Sequence, residues 1–236
     1  MIDTNPVHHS VFITGGTGYL GRGLIPRLIE CGCTVRALAR PESLPKLPGG
    51  CTAIAGNALD ERTYQDEISP ADTFVHLVGV SHPGPGKAEL FRTVDLASTE
   101  AAVKAALHAR IKHFVYVSVA HPAPVMKPYI EARKAAEAII YHSGLNATIL
   151  RPWYVLGPGH RWPYLLIPFY KICEKIPATA ESAARLGLLT LPRMLAALQN
   201  AVEHPAQGIR IVEAPEIRRT RGAPSKMIME QVMRET

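Results

Sequence analysis

The chain has 236 residues, of which 47% are hydrophobic and 19% are charged, and it carries a formal net charge of +6. This composition is typical of a globular protein and excludes a disordered chain, a collagen and a disulfide-dense miniprotein. The C-terminal segment, residues 205–236, also has only a modest basic excess, because it holds six Arg or Lys against four Glu. We therefore expect no strong nucleic-acid interface.

The cysteines and the first residues indicate a reducing, cytoplasmic location. Cys31 and Cys33 form a C-x-C pair without the second pair that a zinc site needs, so we expect no bound metal. The first ten residues lack the apolar core of a signal peptide. The longest apolar run, residues 164–170, contains a proline and is too short to span a bilayer. We expect no membrane span, and the oligomeric state stays open.

Short apolar segments alternate with helical periodicity through the first two thirds of the chain. Residues 11–14 form the first predicted strand, and apolar residues then recur at helical spacing from Leu20 until Gly32. Six strands alternating with helices predict a doubly wound parallel α/β sheet, the Rossmann fold. The further strands are predicted at 34–39, 52–55, 73–78, 113–119 and 147–150, with helices at 88–109 and 129–142.

The pattern changes after Arg151, because five prolines interrupt residues 152–177. We therefore divide the chain into a Rossmann core at 1–151 and a second part at 152–236. Residues 152–206 are predicted to form a small, irregular lobe where the carboxyl ends of the strands open. Within the second part we expect a helix at 192–203, a late strand at 209–213, a basic loop at 218–221 and a Met-rich C-terminal helix at 225–235 that packs back on the core.

A glycine motif, G-x-x-G-x-x-G, lies between the first predicted strand and the first helix. In this context it predicts a dinucleotide cradle. The first glycine permits a tight turn, the second lets the backbone approach a pyrophosphate, and the third lets the helix pack closely on the strand. The N–H groups at the start of the helix then face the phosphates. We expect the cofactor to contact this segment at Gly15, Thr17, Gly18, Tyr19, Leu20 and Gly21.

These segments resemble a known superfamily. TGGTGYLGR, the strands ending in ALAR and VHLVG, and RPWYVLGPG are similar to segments of atypical or extended short-chain dehydrogenase/reductases. The similarity is strongest to NmrA-like, NAD(P)-binding epimerase/dehydratase and complex-I-subunit-like members. It covers roughly residues 10–215. The resemblance implies nucleotide binding but no particular reaction.

The end of the second predicted strand indicates the preferred cofactor. NAD sites usually place an Asp or Glu there, whereas this chain has Arg40, whose guanidinium suits a 2′-phosphate. Glu42, two residues later, complicates this interpretation. We expect NADP(H) to be preferred and NAD(H) to be possible. The resemblance implies further contacts at Asn57 and Ala58 near the adenine, and at Val78 and Gly79 near the nicotinamide-side ribose.

The resemblance also implies a catalytic Tyr with a Lys four residues later, and a Ser or Thr after the fifth strand. Here the residue four positions after Tyr129 is Arg133, and Lys134 lies one position further. Arg133 can hold ribose hydroxyls and supply positive potential, but it cannot relay a proton. Val119 stands where extended members have the reactive serine, so Ser118 is interpreted as a strand-end serine that bonds only backbone. Tyr129 and Arg133 are the candidate catalytic residues; alternatively, Tyr129 is an ordinary helix-start aromatic.

Residues 157–164 supply candidates for substrate contact, because ligands bind on loops at this side of an α/β sheet. Alternatively, the aromatic residues of this loop only cover the core of the lobe. The candidates are His160, Arg161, Trp162 and Tyr164.

Two functions remain open. The first is an NADP-dependent oxidoreductase or epimerase-like enzyme that acts on an unidentified small molecule. The second is a catalytically inactive NAD(P)-sensing or assembly protein of the NmrA-like or complex-I-associated type. The altered Tyr-x-x-x-Arg pattern favours the second, and the elaborate loop at 157–164 favours the first.

Overall fold

A seven-stranded sheet organises the chain. The computed structural model describes residues 9–80, 86–123, 126–156 and 187–220. The strand order is β3-β2-β1-β4-β5-β6-β9 with every neighbouring pair parallel, and β7 and β8 form a separate parallel pair. This confirms the doubly wound Rossmann sheet. The strands are β1 (Ser10–Thr14), β2 (Thr34–Ala39), β3 (Thr52–Ala55), β4 (Thr73–His76), β5 (His113–Val117), β6 (Ala147–Arg151), β7 (Tyr154–Leu156), β8 (Leu188–Thr190) and β9 (Ile209–Glu213).

Helices cover both faces of this sheet. Within the described ranges, none of them is both long and apolar enough to cross a bilayer. They are α1 (Tyr19–Glu30), α2 (Ala88–Leu90), α3 (Ala97–His108), α4 (Lys127–Ser143), α5 (Leu191–Glu203) and α6 (Ala214–Arg219), with a π-helical segment at Phe91–Leu96 and 3-10 turns at Pro41–Lys46, Glu61–Thr63 and Gln65–Glu67.

The alternation of side chains along β1 separates two cores. Val11 and Ile13 face one side of the sheet, where they join the cluster formed by α1 and α5. Phe12 faces the other side and joins the cluster that includes alanines of α3 and Ile140 of α4. Because successive side chains of a strand point to opposite faces, a fully buried sheet needs apolar residues at every position. This explains why β1 reads as a continuous apolar run.

Two parts of the second half differ from the sequence prediction. Helix α5 falls in the range predicted for the irregular lobe, but its Leu195 and Leu198 are fully buried against α1 and the sheet. Arg218 and Arg219 were expected in a basic loop, but they form the last turn of α6. That helix buries Ala214 and Ile217, which the charged pattern of the segment concealed. The division of the chain at residue 151 stays a prediction, and the helix expected at 225–235 lies outside the described residues.

The helix predicted at 88–109 contains a π-helical segment in its first half. It places Asp95 in the protein interior with no exposed surface. π-helical turns are rare and occur frequently at functional sites. The sequence pattern gave no sign of this segment.

Two buried histidines predict a loss of stability in acid. Burial lowers the pKa of His113 from 6.5 to about 4, and burial together with the charge of Arg133 lowers that of His76 to about 3. Both therefore stay neutral in the folded protein and take up protons on unfolding. The stabilisation is complete above pH 6.5 and is lost as the pH falls towards the lower values. Between pH 6.5 and about 5, we expect the free energy of unfolding to fall by up to about 1.4 kcal/mol per pH unit for each histidine.

Urea unfolding of the wild type at a series of pH values measures this slope. His113→Asn should make the slope shallower, because one of the two titrating groups is lost. His204 is exposed, so His204→Asn is the matched control for replacing a histidine by asparagine at the surface. A wild-type unfolding free energy that is constant across this range would contradict the prediction.

Candidate functional site

The glycine loop joins β1 to α1 and leaves the first turn of that helix open. Gly15 has φ +78°, and a Cβ there would lie 2.7 Å from the backbone of Leu77. The Gly18 N–H donates to the Gly15 carbonyl at 3.0 Å, which closes the turn. Gly18 caps α1 without a side chain to bond its first N–H groups. N–H groups at the start of a helix can bind an anion.

Gly18 and Gly21 lack side chains for different reasons. Gly18 is exposed with φ −78°, and among the described residues a Cβ there would meet only the Gly15 carbonyl oxygen, at 3.1 Å. Gly21 is buried, and a Cβ there would collide with that oxygen and lie 2.6 Å from Gly16 Cα. Gly21 thus lets α1 pack on the loop, as its place in the motif predicts. The contact that limits a side chain at Gly18 is thus much milder than the collision at Gly21, and we expect the empty space beside Gly18 to be used by a ligand.

That space is a cleft of about 850 Å³ at the carboxyl ends of β1 to β4. Leu20 packs against the core, and with Tyr19 and Gly21 it lies in the first turn of α1 rather than on the wall of the cleft. Sequence reasoning missed the apolar part of the wall, formed by Leu38, Leu59, Leu77 and Val94. The predicted cofactor residues on the wall are Gly15, Thr17, Gly18, Arg40, Asn57, Ala58, Val78 and Gly79.

Arg40 stands at the rim of the cleft where β2 ends. Its side chain is 70% exposed, and its Nε lies 3.3 Å from Oε1 of Glu42, whose side chain is 64% exposed. An exposed ion pair of this kind contributes little to stability. The guanidinium can therefore exchange Glu42 for a phosphate at small cost.

Asn57 braces the loop after β3. Its Oδ1 accepts the Leu59 N–H at 3.1 Å, and its own N–H donates to Thr63 Oγ1 at 2.9 Å. This side chain shapes the wall that we expect around the adenine. The contact between Asn57 and the adenine stays a prediction.

Arg133 of α4 lies buried behind the wall and does not present itself to the cleft. Its Nη2 lies 2.6 Å from Asp95 Oδ1. Its Nη1 donates to the Val117 carbonyl at 2.8 Å and to the Tyr116 hydroxyl at 3.1 Å. These contacts engage the guanidinium with protein groups, and a contact between Arg133 and ribose hydroxyls stays a prediction. The partner Asp95 was missed, because nothing in the local sequence connects it with α4.

Burial and charge act in opposite directions on this pair. Burial by itself disfavours the charged form of Arg133, but Tyr116, Tyr129 and Asp95 raise the pKa of the guanidinium above its ordinary value. Burial raises the pKa of the Asp95 carboxyl, against the opposing effects of Arg133 and the Val80 N–H. Arg133 therefore stays protonated, and Asp95 supplies its counter-charge.

Tyr129 lies one helical turn before Arg133, as the i, i+4 spacing predicts. Its half-buried ring packs 5.0 Å from the ring of Phe91 and 5.2 Å from Arg133 Cζ. Lys134 points to another face of α4, where it pairs with Glu131 at 3.6 Å. Arg133 rather than Lys134 is thus the cation beside Tyr129.

Ser118 bonds a carboxylate, so the expectation that it bonds only backbone is wrong. Its Oγ donates to Glu137 Oε1 at 2.5 Å. Arg151 holds the same carboxylate through Nε at 3.0 Å and Nη2 at 2.5 Å, and His121 Nε2 lies 3.5 Å away. Glu137 is 3% exposed. Its position eight residues after Tyr129, on the same face of α4, is the signal that could have revealed it.

Two further expectations concern the substrate loop and bound metals. His160, Arg161, Trp162 and Tyr164 lie outside the described residues. Within the described ranges, no three His, Cys, Asp or Glu side chains gather as potential metal ligands.

The model of a family described as NAD(P)H-binding matches residues 15–161. The chain is also similar to a 4-hydroxy-2-methyl-3-oxo-4-farnesyl-3,4-dihydroquinoline-1-oxide ketoreductase of Stigmatella aurantiaca, with 29% identity over 62% of this chain and 50% of that protein. Another relative is the photosystem II assembly factor Ycf39 of Synechocystis, with 27% identity over 60% of this chain and 43% of that protein. The chain thus spans about half the length of these relatives.

The fold has counterparts among solved structures. The Bordetella bronchiseptica enzyme WbmH, crystallised with NAD⁺, matches with a TM-score of 0.64 and 21% identity over 86% of this chain and 74% of that chain. At this identity, the match shows a shared fold. The family match covers more than half of the chain and shows that the chain belongs to the NAD(P)H-binding family, and the relatives and the fold agree with the expected atypical short-chain dehydrogenase/reductase superfamily.

Proposed function

We propose that the protein is an NADP(H)-dependent oxidoreductase acting on a small carbonyl compound. The observation that carries this proposal is the cleft, which has a glycine loop at a helix start, a basic rim at Arg40 and a wall backed by Arg133, whose guanidinium lies beside the Tyr129 ring. The dimensions and donors of the cleft suit a dinucleotide. The ketoreductase relative supports a carbonyl substrate.

Different residues of the cleft have different roles in cofactor binding and in the reaction. The glycine loop and the first turn of α1 hold the pyrophosphate, and Arg40 pairs with the 2′-phosphate. When bound, the reduced nicotinamide supplies a hydride. The Tyr129 hydroxyl donates a proton to the substrate oxygen, and the fixed charge of Arg133 stabilises the tyrosine oxygen after the proton leaves.

Preference for NADP(H) is tested by Arg40→Ala. The change removes the charged hydrogen bonds to the 2′-phosphate, which we expect to weaken NADP(H) binding by about 1.5–3 kcal/mol and to leave NAD(H) binding nearly unchanged. Titration calorimetry with both cofactors measures the difference. Glu42→Gln is the matched variant, and it should strengthen NADP(H) binding because it frees Arg40. An equal loss of both cofactors in Arg40→Ala would refute the assignment.

A second candidate function is supported by the contacts of Arg133 and Ser118. Asp95 offsets the charge of Arg133, Glu137 holds Ser118, and Val119 stands in the place of the reactive serine. These contacts suit a protein that binds NADP(H) without turning it over. The assembly-factor relative agrees with this candidate. Oxidation of bound NADPH by any carbonyl compound distinguishes the two functions.

A further inference from the structure

Asp95 joins two parts of the structure that lie directly behind the wall of the cleft. Its side chain has no exposed surface. One carboxylate oxygen, Oδ2, accepts the Val80 N–H at 3.0 Å, and the other lies 2.6 Å from Arg133 Nη2. Val80 follows Gly79, and Asp95 follows Val94, and both of these neighbours line the cleft. One carboxylate thus ties two segments of the wall to helix α4.

The Arg133 guanidinium fits closely against Gly79. A Cβ at Gly79 would collide with Arg133 Nη2 and would lie 3.1 Å from Asp95 Oδ1. The hydrogen bond from Nη1 to the Val117 carbonyl fixes the other side of the guanidinium to the end of β5. The wall at Gly79 therefore rests on a charged group that has little freedom to move.

The strand order places this wall under a defined half of the dinucleotide. Arg40 and Asn57 follow β2 and β3, on one side of the glycine loop after β1. A dinucleotide with its pyrophosphate on that loop extends from the adenosine end at β2 and β3 to the nicotinamide end at β4 and β5. Gly79 follows β4, so it lies beneath the nicotinamide half.

A buried ion pair is an expensive way to fill this space. Replacement of such a pair by apolar residues is often neutral or stabilising, so stability alone does not explain its presence. Its two members, however, also make hydrogen bonds with the Val80 N–H and the Val117 carbonyl, and these directional bonds fix the position of the wall in a way that apolar packing does not.

We propose that Asp95 is a positioning residue for the nicotinamide half of the cofactor. Its carboxylate holds Gly79–Val80 and the Arg133 guanidinium together and so sets the floor on which the nicotinamide riboside lies. This inference rests on the proposed binding of NADP(H). It requires no proton transfer by Asp95 or Arg133.

Asp95→Asn tests the inference, because asparagine keeps an oxygen for the Val80 N–H and removes the charge opposite Arg133. Two probes are titrated by calorimetry: NADPH, and adenosine 2′,5′-bisphosphate, which contains the adenosine half only. We expect NADPH binding to weaken about ten- to hundredfold and binding of the half-ligand to stay unchanged. Asp66 is an exposed carboxylate paired with His108, so Asp66→Asn is the matched control and should change neither.

The outcomes distinguish a failure of the role proposed for Asp95 from a failure of the proposed NADP(H) binding. Equal weakening of both probes in Asp95→Asn shows a general structural role and overturns the inference, and so does unchanged NADPH binding. Failure of both probes to bind the wild type overturns the proposed function itself. If Asp95→Asn does not fold, Asp95→Asn with Arg133→Met removes both charges and avoids an unpaired buried ion. That double variant should show the same selective loss of NADPH, and undiminished NADPH binding would overturn the inference.

Discussion

Gly18→Val is expected to abolish NADP(H) binding while leaving the fold intact. The backbone conformation at Gly18 is one that any residue adopts, and within the described part of the chain a Cβ there would meet one carbonyl oxygen, at 3.1 Å. The valine side chain would instead fill the space over the first turn of α1, where we place the pyrophosphate. Calorimetric titration measures the loss of binding, and far-ultraviolet circular dichroism should remain close to that of the wild type.

Gly21→Ala is the matched control for this prediction. A Cβ at Gly21 would collide with the Gly15 carbonyl, so this variant should lower the unfolding midpoint. The two glycines of one motif should therefore separate into a binding position and a packing position. Undiminished cofactor binding by a folded Gly18→Val protein would refute the assignment of the loop to the pyrophosphate.

The fold could be predicted because each strand is specified locally. The segments that became β1 and β5 are apolar on both faces, as buried parallel strands require, and glycines mark the turns around α1. The amphipathic pattern of α5 predicted a helix correctly. It could not show that this helix packs on α1, because an apolar stripe does not identify the surface that it covers.

The cofactor-binding residues could also be predicted from local sequence, whereas the contacts of the candidate catalytic residues could not. Gly15, Gly18 and Arg40 follow directly from motif spacing and from the end of a strand. The contact between Arg133 and Asp95 joins residues on separate helical segments, and the contact between Ser118 and Glu137 joins a strand end to a helix. Such pairs form only when the sheet brings distant segments together. The sequence therefore indicates a cation at Arg133 but not the carboxylate that pairs with it.

Tyr129→Phe is expected to reduce turnover of a true substrate by a factor of about 10²–10⁴, the usual contribution of acid–base catalysis. Cofactor affinity should change little, because the ring keeps its packing on Phe91 and Arg133 and only a hydroxyl is lost. The measurement is the single-turnover loss of the reduced-nicotinamide absorbance across a panel of aldehydes, ketones, quinones and nucleotide sugars. Tyr141 is 44% exposed near the end of α4, so Tyr141→Phe is the matched control.

Arg133→Lys tests how the contacts of the guanidinium, including its ion pair with Asp95, affect turnover and NADPH binding. The variant restores the Tyr-x-x-x-Lys pattern, but a lysine cannot bond Asp95, the Val117 carbonyl and the Tyr116 hydroxyl at once with the planar geometry of a guanidinium. If the fixed charge of arginine limits proton transfer, turnover should rise; if the wall at Gly79 depends on the guanidinium, NADPH binding should weaken at the same time.

NADPH oxidation that is equally fast in wild type and Tyr129→Phe would eliminate Tyr129 as the acid. Rapid loss of the reduced-nicotinamide absorbance in wild type but not in Tyr129→Phe would exclude the non-catalytic candidate function. A protein that only senses NADP(H) has no reaction step for the hydroxyl to assist.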